Sequence, residues 1–84
     1  MHPADDAPPA PKNPLSPKKL LLSKWTAVQP RNKEQHFVVT RVIPPEPPEV
    51  RIEQVELQAV HSGRLMLLHW RALTDASEWR QGWV

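Results

Sequence analysis

The sequence contains no cysteine, so no disulfide staples the chain and no thiolate set holds a metal. Its only glycines are Gly63 and Gly82, too few for the glycine-rich loop that cradles phosphate groups. Long apolar runs are missing as well. Leu20–Leu22 and Leu65–Leu68 are the longest, far short of the ~20 residues that cross a bilayer. The N-terminus also lacks the apolar stretch of a secretory signal. Cytoplasm is the expected compartment, and no membrane partner is expected. His2, His36, His61 and His69 follow neither HxxxH nor HxH spacing, so neither a metal nor a cofactor is expected. Ser23, His36 and Asp75 supply the residue types of a hydrolase triad, but no nucleophile stands in a tight glycine-flanked turn. The expected protein is not an enzyme.

Proline is plentiful, and it is unevenly placed. Six of the eleven prolines fall in residues 1–17, where large apolar side chains are almost absent. Proline removes backbone donors, fixes φ and pushes the preceding residue out of the helical region. This Pro-rich head is expected to be disordered, with polyproline II character over residues 1–14. Pro8 to Pro11 and Pro14 to Pro17 have PxxP spacing, which arises freely wherever proline is dense. The foldable segment is residues 18–84, one small domain. A domain of that size buries only about 60% of the surface its unfolded chain exposes. Four tryptophans must supply much of that burial, at roughly 150–250 Å² each.

Along this segment the pattern is that of strands. Ser16-Pro17 followed by Lys18, Lys19 and three leucines reads as a short helical turn ending by Ser23. Trp25 to Val28 begins a strand that leads into a turn cluster, Gln29 to Lys33. His36 to Ile43 is apolar and β-branched at nearly every position, as expected of a strand covered on both faces. Four prolines in Pro44–Pro48 make a loop, because no ladder runs through them. Val50 and Ile52 are apolar at even positions but Val55, Leu57 and Ala59 at odd ones, so the apolar set changes face between them. A β-bulge near Glu53-Gln54, or two separate short strands, accounts for the change.

A hairpin is expected at His61-Ser62-Gly63-Arg64. With Ser62-Gly63 at its tip, Val55 faces Trp70, Leu57 faces Leu68 and Ala59 faces Met66 on one apolar side. Glu56 then faces His69, Gln58 faces Leu67 and Val60 faces Leu65 on the other. In the last segment, Asp75 with Glu78 has capping-box spacing and Gly82 is a helix stop, which predicts a helical turn bringing Trp79 and Trp83 together.

The stretch KLLLSKWTAVQ (Lys19 to Gln29), then Asn32-Lys33-Glu34 and His36-Phe37, and the later Trp70-Arg71, Asp75, Trp79 and Gly82-Trp83, resemble a family of small tryptophan-rich bacterial proteins with no established function. The resemblance covers roughly residues 18 to 83. Pro44–Pro48 and the head lie outside the pattern. It implies no site, cofactor or substrate.

About five short strands with one sharp bend predict a mainly β fold, a small antiparallel SH3-like or Sm-like barrel with short terminal helical turns. The alternative is an open antiparallel sheet covered on one face by the terminal segments. Two binding functions are compatible with either. Val60, Leu65 and Leu67 give the second face of the hairpin an apolar patch suited to a protein partner or to self-association as a homo-oligomer. Lys18, Lys19, Lys24, Arg31, Lys33 and Arg41 stand near Trp25, His36 and Phe37, a composition suited to single-stranded RNA or DNA. Residues 18–43 carry a net +5 and residues 44–60 a net −3. That asymmetry marks an anion-binding face or merely two solvated ends of a small domain.

Overall fold

The alternating apolar positions organise five antiparallel strands into one sheet in the computed structural model, which describes residues 12–84. The strands are β1 (Lys24–Arg31), β2 (Glu34–Val42), β3 (Gln54–Ala59), β4 (Leu65–His69) and β5 (Trp79–Gln81), in the spatial order β4-β3-β2-β1-β5. The first four form a meander, and β5 returns to pair with β1 after a 3-10 helix, Trp70–Thr74. β4 and β5 are the two edges, so the described sheet is open. No helix among the described residues is long and apolar enough to cross a membrane.

One face of this sheet carries the core. Trp25, Phe37, Val39, Val55, Leu57 and Ala59 are buried on it, with Leu20 and Leu73 packed over them. Leu15, Ile52 and Trp70 complete the cover, and Trp79 packs against the core from β5. Each fully buried leucine, such as Leu20, Leu57 and Leu73, contributes about 1.5–3 kcal/mol. The cover comes from irregular and 3-10 segments, including the short turn Pro17–Lys19. This is the arrangement of a sheet roofed by its terminal segments.

The strongest strand owes its apolar run to a bulge and not to two buried faces. β2 and β3 pair Val39 with Leu57, but the next pair is Arg41 with Glu56. Thr40 is therefore the extra residue, and its hydroxyl donates to the Glu56 carboxylate at 3.0 Å. The inward set changes from Phe37 and Val39 to Val42 across it. A bulge was expected near Glu53-Gln54 instead. There, Val50 to Glu53 lies outside any strand and Val50 is exposed. The apolar phase changes because only the later residues join a ladder.

The two hairpin turns are each shorter or displaced relative to expectation. β1 runs through Arg31, and the turn is only Asn32-Lys33, both at positive φ (56° and 62°). Two left-handed residues match the twist of the flanking strands. The β3–β4 loop is Val60 to Gly63, with the Ala59 N–H donating to the Arg64 carbonyl and the Gly63 N–H to the Ala59 carbonyl. Gly63 supplies the positive φ of 77° at the last loop position. The register is thereby two residues away from the expected one: Val55 faces Leu68, Leu57 faces Met66, Glu56 faces Leu67 and Gln58 faces Leu65. A shift of two preserves every face. Trp70 moves out of the strand, into the 3-10 helix, where its indole donates to the Ile52 carbonyl at 3.0 Å.

The expected helix over Asp75–Gly82 is a turn followed by β5. Asp75 accepts from the Ser77 N–H and hydroxyl, which holds its carboxyl below the usual aspartate range. It does not begin a helix. Residues 12–17 belong to the structure as well. The Asn13 N–H donates to the Thr74 carbonyl and Leu15 packs on the core, so residues 12–17 are docked although they precede the expected boundary at residue 18. The expected disorder over residues 1–11 and the Pro8–Pro11 spacing lie outside the described residues; Lys12 to Pro14, also expected to be disordered, and Pro14 to Pro17 belong to the docked segment.

Candidate interaction surface

Side chains alternate across a strand, so the register fixes what the uncovered face presents. Lys24, Val38, Gln58 and Leu65 form one row across β1 to β4. Arg80, Thr26 and His36 form the next. Glu56 with Leu67 and Gln54 with His69 follow on the other side. A sheet with one solvated face normally carries polar residues at these positions. β3 obeys that rule with Gln54, Glu56 and Gln58. β4 does not: Leu65 and Leu67 are 54% and 58% exposed. Val60, in the adjoining loop, is exposed too. The structure thus brings the three residues expected of an interface to one region, although Val60 sits in the loop and not opposite Leu65.

The backbone of β4 adds a second feature. Ala59 bonds to Arg64 and the Trp70 N–H donates to the Glu53 carbonyl at 2.9 Å. Hydrogen-bonded and non-bonded pairs alternate in an antiparallel ladder. Arg64, Met66, Leu68 and Trp70 therefore turn their backbone groups to β3, and Leu65, Leu67 and His69 turn theirs away from the sheet. No strand among the described residues lies on that side. Edge strands are ordinarily guarded by charge, proline or a covering segment. LMLLH has no Lys, Arg, Asp, Glu or Pro.

The opposite edge is guarded. The Asn13 side-chain amide donates to the Trp79 carbonyl at 2.9 Å and to the Leu73 carbonyl at 2.8 Å. The Gln81 side-chain amide donates to the Pro14 carbonyl. The two edges of one sheet are treated differently.

An ion pair fixes the start of β4. Glu34, at the head of β2, is 4% exposed and accepts from Arg64 Nε and Nη2 and from the Ser62 hydroxyl. Arg64 chiefly, and Ser62 next, pull the Glu34 carboxyl down to about 2. The β1–β2 and β3–β4 hairpin tips are tied together by this contact.

The cations are dispersed. Lys18 and Lys19 lie in the first 3-10 turn, Arg31 ends β1, Lys33 lies in the β1–β2 turn, and Arg41 follows the bulge. Trp25, expected beside them as a stacking platform, is fully buried and donates its indole N–H to Ser23. No base can stack on it. The exposed indole is Trp83, 44% accessible. Gly82, at φ 82°, turns the chain over the outer face, and the Trp83 indole N–H donates to the Phe37 carbonyl. Lys24 Nζ lies 4.7 Å from the Trp83 ring centre and His36 at 5.8 Å. Trp79 faces the other way, edge-on to Phe37 at 5.2 Å. The sequence signal for Trp83 was the glycine before it.

The model of one family, described as Tryptophan-rich protein (DUF2389), matches residues 23–84. The chain belongs to this family. The matched segment begins at the turn before β1 and contains all five strands, the ion pair and Trp83. Asn13, which guards β5, precedes it. No curated protein and no solved structure matches the chain.

Proposed function

We propose that this member of the tryptophan-rich family is a non-enzymatic protein-interaction module that takes up an extended polypeptide strand along β4. One observation carries the reading: the strand that breaks the polar alternation of the outer face is the strand whose edge the described residues leave open. Added strands gain affinity from main-chain hydrogen bonds and selectivity from alternate side chains. Leu65 and Leu67 offer both. The meander, the 3-10 helix before β5 and the return of β5 to β1 also suit an SH3-like or Sm-like half-barrel, though fold alone does not fix function.

Amide hydrogen exchange tests the reading. In dilute protein, Leu65 and Leu67 amides should exchange fast while those of Met66 and Leu68 are protected. An extended valine–threonine repeat peptide should slow the first pair. Protection of Leu65 and Leu67 in protein dilute enough to be monomeric, before any peptide is added, would reject the proposal.

A second reading, binding of single-stranded RNA or DNA, draws on a different observation. Trp83 is exposed beside Lys24 and His36, with Arg80 in the neighbouring row. A base stacked on one indole gains about 1–3 kcal/mol, and phosphate contacts make binding fall with salt. Titration of an oligonucleotide at two salt concentrations decides it; binding that is absent at low salt, or indifferent to salt, rules it out.

A further inference from the structure

We infer that the strand taken up by β4 is β4 of a second copy, paired antiparallel about a two-fold axis through Leu67. The inference rests on the strand-uptake reading and names its partner.

Edge strands of identical chains associate in two ways. An edge meets the other kind of edge, head to tail, which makes rings or filaments; or it meets itself about a two-fold axis, which closes at two. The head-to-tail route needs a free β5. That edge is occupied, because Asn13 holds the outward Trp79 carbonyl at 2.9 Å and the chain around Pro14 is bonded to Gln81. Among the described residues only the β4 edge remains, and β4 must then meet β4.

The register follows from the strand. β4 has five residues, Leu65–His69, and a two-fold axis pairs all five only when it passes through the middle one, Leu67. Leu67 has its backbone groups turned outward, so it exchanges both hydrogen bonds with Leu67 of the second copy. Leu65 then stands opposite His69 of the second copy on the outer face. Met66 stands opposite Leu68 of the second copy on the core face. Each inner position meets an apolar one, as cross-strand pairing favours.

Charge does not oppose this pairing. The strand itself carries no Asp, Glu, Lys or Arg. The flanking Arg64 stands opposite Trp70 of the second copy, not opposite another cation. A shift of the axis to Met66 or Leu68 leaves part of each strand unpaired. The product is a single ten-stranded sheet in which the exposed leucines of both copies adjoin.

The chain has no cysteine, so one introduced thiol reports on itself alone. Leu67→Cys under mild oxidation should give a covalent dimer and nothing larger. Leu65→Cys should remain uncrosslinked by itself but join to His69→Cys chains when the two are mixed. By sedimentation the unmodified protein should be a dimer, and Leu67→Lys a monomer with an unchanged circular dichroism spectrum. Leu67→Pro serves as a second variant, since it removes only an outward N–H and spares the β3 ladder. Three results would overturn the inference. A monomer at high concentration with fast Leu65 and Leu67 exchange removes the second copy while leaving the edge open to a foreign strand. A trimer or larger ring removes the two-fold axis. A monomer whose Leu65 and Leu67 amides are already protected removes both this inference and the reading beneath it.

Discussion

Leu57 and Leu67 are the same residue type on neighbouring strands of one sheet, facing opposite ways. Leu57 is fully buried between Val39 and Met66 in the register, while Leu67 is 58% exposed. Truncating each to alanine therefore measures how far the fold depends on one face. Leu57→Ala removes buried carbon groups at about 0.8 kcal/mol each and leaves a cavity, so the cost lies near 3–4 kcal/mol. A domain of this size has a total stability of roughly 4–10 kcal/mol. The loss should lower the melting temperature by about 15 °C or more. Leu67→Ala removes the same atoms from a solvated position and should stay within about 0.5 kcal/mol. Equilibrium urea unfolding followed by tryptophan fluorescence, at a concentration too low for self-association, reads both. Comparable losses for the two variants would refute a core confined to one face, as would a larger loss for Leu67→Ala.

The remaining expectations concern single contacts. Glu34 has its folded pKa lowered to about 2, below the unfolded value of about 4.3. Its contribution to stability is thus complete above the unfolded value and fades as pH falls toward the folded one. Glu34→Gln should flatten that part of the stability curve, measured as urea midpoints at stepped pH; an unchanged slope would contradict the assignment. Asn13→Ala deletes two hydrogen bonds, should cost about 1–3 kcal/mol, and should allow species larger than a dimer by freeing β5. Sedimentation of that variant with no larger species would argue against Asn13 as the guard of the edge. Gly82→Ala meets no atom within 4 Å but must hold φ at 82°, so a loss of about 1 kcal/mol is expected from the backbone alone. In acrylamide quenching, Trp83→Phe should remove the most accessible fluorescence, and persistence of that fraction would mean another indole is exposed.

Which faces are apolar was legible in the sequence; which edges are open was not. The β3–β4 register differs by two from the expected one because Gly63 is the last residue of a four-residue loop and not the second residue of a two-residue tip. Since parity survived, Val55 and Leu57 still meet Leu68 and Met66 on the core side, while Ala59 now stands opposite Arg64. The bulge at Thr40 has no signature in the sequence because a phase change inside FVVTRVI looks like a strand buried on both sides. Trp79 and Trp83 were paired at helical spacing, but neither lies in a helix: Gly82 reverses the chain, and the two rings end on opposite faces. The guard on β5 comes from Asn13, separated from Trp79 by 66 residues in the chain. No local pattern announces a contact of that range.

The two proposed surfaces make different demands on the same face. Trp83 lies over β1 and β2, through Lys24 and His36, whereas Leu65 and Leu67 belong to β4. Two strand spacings separate β2 from β4, or about 10 Å. Between them stand the polar side chains of β3, Gln54, Glu56 and Gln58, so the apolar β4 and the cationic end are not one patch. Pairing of β4 with a second copy extends the sheet away from Trp83 and leaves the indole uncovered. A charge placed on the β4 edge therefore interferes with strand addition by desolvation, while adding to the positive potential that a nucleic acid would meet. Leu67→Lys pushes the two activities in opposite directions, which gives that one substitution more discriminating power than the loss of either surface alone.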